Sequence, residues 1–316
     1  MRTGFIFSLP RAGSTYTQRV LSASPRVATT PETWLFPALF GIRHGDSPLA
    51  DFGYDHVRIG LNDVTALLDN GNEAWRHSIR AAAETLFSRF AAPNQLFLEK
   101  TPRNAIFCRE ILSTFPDSPA LFVWRNPLSV IASINRTWGA GKWKTYFYHY
   151  DLYSGLRSMI ETARDNSENP NIMCVRYEDL VKSPQTIWPT VFEHFGLEYD
   201  PAYVAAPPKM LSRMGDQIGQ TKYTRTESSS TDLWKTAFGS RHRRRWVNSY
   251  LDWIGTEDLA FMGYQKDALI EDIARTGDSH WSDIIMIGAA PLYHCFEPYI
   301  VRGKFSRFGL NKFARR

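Results

Sequence analysis

The strongest constraint on the fold is a repeated alternation between short apolar runs and longer segments with helical spacing. Each apolar run ends in a polar turn before the helical pattern begins. Strands that alternate with helices in this way form a parallel sheet with helices on both faces. The predicted strands are Gly4–Ser8, Arg26–Thr29, Gln95–Glu99, Ala120–Trp124 and Ile172–Arg176. The predicted helices are Ser14–Ala23, Ala74–Phe90, Ala105–Thr114, Pro127–Thr137, Tyr146–Arg164 and Gln185–Phe195.

The chain is predicted to form one large α/β domain with an extension. No linker or internal repeat divides its 316 residues. We expect the α/β domain over residues 1–260, and a mainly helical and loop extension over residues 261–316 that packs on it. Within the domain, the polar segment Leu211–Gly239 is predicted to be a long loop. A basic helix follows it, with packing positions at Trp246, Tyr250 and Trp253.

Charge and cysteine content favour a cytoplasmic protein. The net charge of +5 suits an anionic ligand without requiring one. The cysteines, Cys108, Cys174 and Cys295, are far apart and odd in number, and they fit neither a disulfide framework nor a zinc site. A reducing compartment is therefore expected. The first apolar run is too short for a signal peptide, and no run approaches the ~20 apolar residues of a membrane span.

The turn after the first strand has the composition of an anion-binding loop. Its sequence, SLPRAGST, leads directly from a strand through a small, hydroxyl-rich turn into a helix. Backbone N–H groups and the helix dipole favour anions at such a turn. A Walker loop would have glycine at Ser8 and lysine after Gly13, whereas the basic residue here is Arg11. The loop is predicted to hold one phosphate rather than a triphosphate. The alternative is a plain strand–turn–helix with Ser14 as N-cap.

A second anion site is predicted after the fourth strand. Arg125 follows that strand, Pro127 begins the next helix and Ser133 lies along it. A guanidinium and a hydroxyl are suited to phosphate, although the same residues could mark only the start of a helix. Ligands of parallel sheets bind beyond the carboxyl ends of the strands. Two anion sites at neighbouring strand ends fit a nucleotide with separated phosphates.

Four motifs of the chain resemble those of the sulfotransferase family, and they follow one another in the family's order. PRAGST resembles the 5′-phosphosulfate loop and RNPLSVIAS the 3′-phosphate motif, while FLEKTPRN and VRYEDLVKSP are typical of the family. The resemblance runs from Gly4 to Gly196, and more loosely to Trp253. It implies a P-loop α/β sheet, 3′-phosphoadenosine 5′-phosphosulfate (PAPS) as cofactor, 3′-phosphoadenosine 5′-phosphate (PAP) as its product, and no metal. Arginine in the first loop is more similar to the tyrosylprotein, carbohydrate and bacterial branches than to the cytosolic branch.

The resemblance assigns cofactor-binding residues by their positions. For the 5′-phosphosulfate end these are Arg11, Ala12, Gly13, Ser14, Thr15 and Tyr16. For the 3′-phosphate they are Arg125 and Ser133, and Tyr177 resembles the family residue beneath the adenine or 3′-phosphate, although it could simply pack. A further segment resembles the family's flexible loop that closes over PAPS. Three residues are assigned to the cofactor only because they lie in that segment: Arg225, Thr226 and Lys235.

The same resemblance predicts three catalytic residues: Glu32, Arg11 and Lys100. The acceptor hydroxyl needs a base, and Glu32 matches the glutamate of tyrosylprotein and several bacterial sulfotransferases; the alternative is a surface glutamate that caps a turn. Arg11 and Lys100 would meet the negative charge that grows on the bridging oxygen, unless Lys100 is a solvated lysine paired with Glu99. The histidine of the cytosolic branch has no matching motif around His44, His56, His77 or His149.

The acceptor and the C-terminal tail are less defined. The acceptor pocket is predicted to be formed by the aromatic segments Thr33–Ile59 and Trp138–Tyr153 and by the C-terminal third of the chain. A carbohydrate or lipid-linked sugar is the leading hypothesis, although the same aromatic residues could bind a lipid or a phenol or fill the core. The tail Arg302–Arg316 alternates phenylalanines with cations. It could meet an anionic membrane surface at the inner face, cap the fold or bind a partner subunit. No nucleic-acid motif accompanies the basic residues, and the oligomeric state stays open.

The favoured function is therefore a cytoplasmic, PAPS-dependent O-sulfotransferase with a small-molecule or carbohydrate acceptor. Two other functions stay open. A P-loop kinase is disfavoured because the Walker lysine is missing. A non-catalytic nucleotide-binding or membrane-scaffold protein would not need Glu32 for any activity.

Overall fold

Five parallel strands form the centre of the computed structural model, which describes residues 1–41, 54–209, 232–273, 280–288 and 290. The strands are β1 (Arg2–Phe7), β2 (Val27–Thr29), β3 (Leu96–Glu99), β4 (Ala120–Trp124) and β5 (Ile172–Arg176). They lie in the order β2-β3-β1-β4-β5, with Phe5 opposite Glu99 on one side and Ala120 on the other. The chain leaves β1 towards one edge of the sheet and β4 towards the other edge. This topology places a crevice beyond the carboxyl ends of β1 and β4.

Helices cover both faces of this sheet. The α-helices are α1 (Ser14–Leu21), α2 (Leu35–Gly41), α3 (Tyr54–Ala66), α4 (Gly71–Phe87), α5 (Cys108–Thr114), α6 (Pro127–Thr137), α7 (Leu156–Asp165), α8 (Tyr177–Lys182), α9 (Pro184–His194), α10 (Pro201–Ala205), α11 (Arg241–Ile254), α12 (Thr256–Phe261), α13 (Lys266–Glu271) and α14 (Asp283–Gly288). The chain also forms 3₁₀ helix at Pro102–Phe107 and Thr145–Tyr148, and π-helix at Tyr150–Gly155. Within the described ranges, no helix has the length and apolar character that crossing a membrane requires.

Alternate residues of the strands point to opposite faces and form two apolar layers. Phe7, Phe97 and Phe122 belong to the layer that contains residues of α4 to α7 and α11. Leu98 and Leu121, their chain neighbours, belong to the layer that contains residues of α1, α8 and α9. Because the strands are buried on both faces, they appear in the sequence as continuous apolar runs. The predicted fold class, a parallel α/β sheet with helices on both faces, is confirmed. Of the predicted helical and loop extension, the described residues include α13 and α14.

The predicted strands are all present, with small shifts at their ends. β4 and β5 have the predicted bounds, and β2 and β3 each begin one residue later than predicted. β1 begins at Arg2 rather than Gly4, because Arg2 pairs with Leu96 in the register of the sheet. Among the helices, α6 has the predicted bounds, while α1, α4 and α9 differ at their ends by one to three residues.

Two helix predictions are wrong as single α-helices. The segment predicted as Ala105–Thr114 begins as 3₁₀ helix at Pro102 and becomes α-helical only in α5. The segment predicted as Tyr146–Arg164 is 3₁₀ helix, then π-helix, then α7. The wide π turn carries the charged Asp151 into a buried position, which explains the departure from regular spacing. The sequence did not reveal α2, α3, α8, α10 or the helices after α11, most of which are too short for a helical period to be visible.

A buried ion pair fixes α14 to the rest of the fold. The Nε and Nη2 atoms of Arg243 in α11 lie 2.7 and 3.0 Å from the two carboxylate oxygens of Asp283. Both residues are almost completely buried. Arg243 also donates to the carbonyl oxygen of Gly141 at 2.7 Å, so the pair links both helices to the loop after α6. The predicted helix with Trp246, Tyr250 and Trp253 on its packing face is confirmed as α11, where the three rings stack in succession.

The predicted loop Leu211–Gly239 lies outside the described residues up to residue 231, and residues 302–316 of the tail lie wholly outside them. The division of the chain into residues 1–260 and 261–316 stays a prediction.

The substitution Asp283→Asn is expected to destabilise the fold by about 3–5 kcal/mol, because it leaves the buried Arg243 charge without its counter-charge. The matched control is Asp165→Asn, which breaks the ion pair between Arg109 and Asp165, both about half exposed. The control should cost at most about 1 kcal/mol. Urea unfolding of both variants tests this. Equal losses in the two variants would contradict the structural role of the Arg243–Asp283 pair.

Candidate active site

The turn between β1 and α1 has a left-handed backbone at two positions. Gly13, at the N-cap of α1, has a φ of +96°, and Arg11 has a φ of +68°. No described side chain caps the helix, so its first N–H groups are available to an anion. A Cβ on Gly13 would lie 2.2 Å from Cδ2 of Tyr177, so the Tyr177 ring closes against the turn. The assignment of Ser14 as N-cap is wrong, because Ser14 is already the first residue of α1.

Arg125 connects this turn to the loop after β4. Its Nη1 donates to the carbonyl oxygen of Arg11 at 2.7 Å, and its Cζ lies 4.6 Å from the centre of the Tyr177 ring. The Nε of Arg11 donates in turn to the hydroxyl of Ser133 at 3.1 Å. These four residues therefore meet at the crevice between β1 and β4. The Nε of Arg125 is buried and has no hydrogen-bond partner among the described residues. A buried charged donor in this state suits a phosphate oxygen.

The other residues predicted in the first loop differ in exposure. Ala12 and Ser14 are buried, whereas Thr15 and Tyr16 are partly exposed. The Tyr16 ring packs edge-on against the Tyr177 and Trp188 rings, with centroid distances of 6.3 and 5.8 Å. Tyr16 is therefore part of the packing beneath the turn.

A buried ion pair joins the turns that follow β2 and β3. Nζ of Lys100 lies 3.0 Å from Oε1 of Glu32, and the side chains are only 3% and 8% exposed. The two alternatives, a surface glutamate that caps a turn and a solvated lysine paired with Glu99, are therefore wrong. Burying two charges has a desolvation cost of several kcal/mol, which their attraction does little more than offset. The pair is thus better explained by a role in the reaction than by a contribution to the stability of the fold.

Glu99 holds the same two turns together from below. Its Oε1 accepts hydrogen bonds from Thr101, Thr33 and Asn104 at 2.8, 3.0 and 3.2 Å. Burial raises the pKa of the Glu99 carboxyl, and these hydrogen bonds and the charge of Lys100 oppose the rise. These contacts make Glu99 a structural residue of the two turns.

Aromatic side chains border the Arg11 side of the crevice. Trp138 stacks on Tyr148 with 4.8 Å between the ring centres, and Cζ of Arg11 lies 5.4 Å from the centre of the Trp138 ring. The predicted acceptor segment Trp138–Tyr153 thus lies beside the first loop. Part of the other predicted acceptor segment, residues 42–53, lies outside the described residues.

Sequence reasoning missed a second ion pair, between Arg103 and Asp151. The Nε and Nη2 of Arg103 lie 2.7 and 2.8 Å from the two oxygens of Asp151, which is 2% exposed. Burial raises the pKa of the Asp151 carboxyl, and the charge of Arg103 opposes the rise. The Arg103 guanidinium also lies over the Trp34 ring, with Cζ 5.9 Å from its centre. The available signal was a lone carboxylate within the aromatic run YFYHYDLY.

Of the predicted residues of the closing loop, the structure describes Lys235, and it does not join this cluster. Arg225 and Thr226 lie outside the described residues. Lys235 is at the surface and pairs with Asp232 and Asp272 at 3.5 and 3.2 Å; in the described part of the chain, no predicted site residue is among its partners. Over the same part, no group of three His, Cys, Asp or Glu side chains could hold a metal ion. Independence from metals stays a prediction.

The sequence matches known sulfotransferases. The model of the group described as "Sulfotransferase family" matches residues 5–201. The nodulation protein NoeE of Sinorhizobium fredii (strain NBRC 101917 / NGR234) is 24% identical over 295 residues, which cover 83% of this chain. The match covers 66% of NoeE, so the chain spans just under two thirds of that relative.

Solved sulfotransferase domains share the fold. The sulfotransferase domain from the olefin synthase of Synechococcus PCC 7002 has a TM-score of 0.52 and 22% identity, over 75% of this chain and 88% of that domain. The sulfotransferase domain from the curacin biosynthetic pathway has a TM-score of 0.52 and 21% identity, over 84% of this chain and 99% of that domain. At these identities the similarity concerns the P-loop-like fold alone.

The substitution Gly13→Ala is expected to destabilise the protein more than Gly141→Ala. Both glycines have positive φ, which costs a residue with a Cβ about 1–2 kcal/mol. Only at Gly13 would the new Cβ also displace a ring, that of Tyr177, since nothing lies within 4 Å of a Cβ on Gly141. Overpacking adds about 1–3 kcal/mol. Urea unfolding measures the difference, and equal losses would show that Tyr177 does not close the turn.

Proposed function

This chain belongs to the sulfotransferase family, and from that premise we propose that it transfers the sulfuryl group of PAPS to an acceptor hydroxyl, forming an O-sulfate ester. One observation carries the proposal: Arg125 is bonded to the backbone of Arg11, and Arg11 is bonded to Ser133. These bonds join two cationic side chains across the β1–β4 crevice, next to the N-terminus of α1. Such an arrangement suits a nucleotide with two separated anionic groups.

The residues of the crevice fit PAPS. The N–H groups at the start of α1 and the Arg11 side chain would hold the 5′-phosphosulfate end, in a turn where a Cβ on Gly13 would clash with the Tyr177 ring. Arg125, whose buried Nε has no described partner, and Ser133 would hold the 3′-phosphate. PAPS supplies an activated sulfuryl group when it is bound. Tyr177 would limit the depth of the site.

Glu32 is proposed as the base for the acceptor hydroxyl. Its Oε1 is bonded to Lys100, and among the described residues its Oε2 accepts no hydrogen bond. Oε2 would take the proton of the hydroxyl, a contribution of about 10²–10⁴ in rate. Lys100 and Arg11 would meet the negative charge that develops on the leaving side. Because the charges are fixed in a buried setting, they need no reorganisation at the moment of transfer.

A carbohydrate or lipid-linked sugar is the proposed acceptor. Trp34, which lies against Arg103, and Trp138, which lies against Arg11, are each more than one-third exposed. Large rings left open next to charged groups provide an apolar face with polar groups at its edge, as sugar-binding sites require. We also propose that the protein is cytoplasmic and that its basic tail contacts a membrane surface.

The cofactor is tested by calorimetric titration with PAP, with 5′-AMP as the reference ligand. Wild type should bind PAP much more tightly than AMP, and Arg125→Ala should weaken PAP binding by about 10–100-fold, because a charge-assisted hydrogen bond is worth ~1.5–3 kcal/mol. Arg109→Ala, which removes an exposed arginine of α5, should bind PAP as wild type does. Equal affinity for PAP and AMP would reject PAPS and return ATP-dependent kinase chemistry to consideration.

The base is tested with Glu32→Gln, which keeps the size of the side chain. Transfer of labelled sulfate from PAPS to a panel of sugars should fall by about 10²–10⁴-fold in kcat, while PAP affinity stays unchanged. The matched control is Glu84→Gln, since Glu84 pairs with Arg80 on the surface of α4. Full activity in Glu32→Gln would exclude Glu32 as the base and would indicate a different base.

A further inference from the structure

Two contacts of charged side chains are among those that link the turns after β2 and β3, and only the first of them contains the proposed base. The turn after β2 carries Glu32 and Trp34, and the turn after β3 carries Lys100 and Arg103. Glu32 and Lys100 form the first link, at 3.0 Å. Trp34 and Arg103 form the second link, with Cζ 5.9 Å from the ring centre. An acceptor hydroxyl that reaches Glu32 therefore has the second link as its neighbour.

Trp34 is held in a conformation that its side chain disfavours. Its φ is +55°, and a bulky residue in the left-handed region is an outlier that persists only when its surroundings impose it. The backbone N–H of Trp34 donates to the Thr101 hydroxyl at 3.4 Å, and that hydroxyl donates to Glu99. This strained backbone leaves the ring 36% exposed instead of packed in the core. An exposed, strained aromatic residue beside a catalytic candidate indicates binding rather than stability.

Arg103 has one edge of its guanidinium fixed and the other edge open. Asp151 holds Nε and Nη2. Nη1 has no hydrogen-bond partner among the described residues, and the side chain is 31% exposed. Because Asp151 is buried and paired through both oxygens, it cannot rotate away, so it fixes the plane of the guanidinium. The result is a rigid donor next to the Trp34 ring.

The Arg103–Asp151 pair lies within range of the charges of the proposed catalytic residues. The charge of Glu32 contributes to the raised pKa of Asp151, after the larger effects of burial and of Arg103. Burial also raises the pKa of Tyr148, with the charges of Asp151, Arg103 and Arg11 acting on it as well. The Trp138–Tyr148 stack thus lies near both the ion pair and Arg11 of the first loop.

We propose that Trp34 and Arg103 form the acceptor subsite, which places one face of a neutral pyranose on the Trp34 ring and one sugar oxygen on Nη1 of Arg103. Asp151 is the positioning residue that orients the guanidinium. A neutral sugar is specified because Arg103 and Asp151 cancel each other's charge. This subsite rests on the proposed sulfotransferase function, and it adds which residues select and orient the acceptor.

The test uses PAP-loaded protein and three neutral sugars, the methyl pyranosides of glucose, mannose and galactose, with methyl glucuronide as the anionic comparison. Binding is followed by saturation-transfer NMR, and KM and kcat are measured with labelled PAPS. Trp34→Gly removes the ring but relieves the backbone, because glycine adopts positive φ freely. Arg103→Lys keeps a cation beside Asp151 but loses the open donor edge. Arg109→Lys is the matched control at an exposed arginine–aspartate pair.

Both variants should raise KM for at least one neutral sugar by about 10–100-fold, with a smaller change in kcat, as expected for lost acceptor binding. PAP affinity and the unfolding midpoint should match wild type in Arg103→Lys, and the midpoint of Trp34→Gly should be equal or higher. The control should leave KM unchanged.

Three results would overturn the subsite. The first is wild-type KM in both variants, and the second is a preference for the glucuronide over every neutral sugar. The third is a wild type that binds PAP yet neither binds nor sulfates any of the sugars, which would leave the proposed cofactor intact. Failure of wild type to bind PAP at all is a separate outcome, and it rejects the proposed function itself.

Discussion

The buried ion pair between Lys100 and Glu32 is the interaction on which the arrangement of the site depends. Two charges removed from water must face each other, so the turn after β2 is required to reach the turn after β3. Hydrogen bonds from Thr33 and Thr101 to Glu99 secure the same approach. The next residue, Trp34, has a positive φ of +55°, and its N–H donates to the Thr101 hydroxyl. This strain is sustained because several contacts determine the turn at once.

The same relation between strain and contact recurs on the other side of β1. Arg11 has a positive φ, and its carbonyl oxygen and its Nε are both engaged, by Arg125 and by Ser133. Two arginines are thereby kept near each other beside the N-terminus of α1, which adds a further partial positive charge. The like charges of the two arginines repel each other, and this repulsion destabilises the turn. A bound anion would offset that repulsion, so the proposed cofactor would stabilise the turn as well as react in it.

The sequence predicted the sheet well because burial on both faces leaves continuous apolar runs, and β4 and β5 have the predicted bounds. It placed Arg11, Arg125 and Ser133 in one crevice because parallel strands present their carboxyl ends at one edge. It did not reveal the Arg103–Asp151 pair, since a local helical period cannot show that a π turn directs Asp151 inwards. Nor did it show the backbone strain at Trp34. That strain arises from contacts with β3 residues far along the chain, which no local pattern contains.

The strand order gives the proposed reaction its geometry. Displacement in line requires the entering hydroxyl and the leaving phosphate on opposite sides of the transferred group. In the order β2-β3-β1-β4-β5, the turns after β2 and β3 carry the proposed base and acceptor subsite, and the loop after β4 carries the proposed 3′-phosphate site. The turn after β1 lies between them. Its Arg11 side chain contacts both Ser133 in α6 and Trp138, which follows the end of α6. The sulfuryl group would therefore be transferred at the end of β1. There the helix N-terminus meets the leaving side, and Glu32 and Lys100 approach from the turns after β2 and β3.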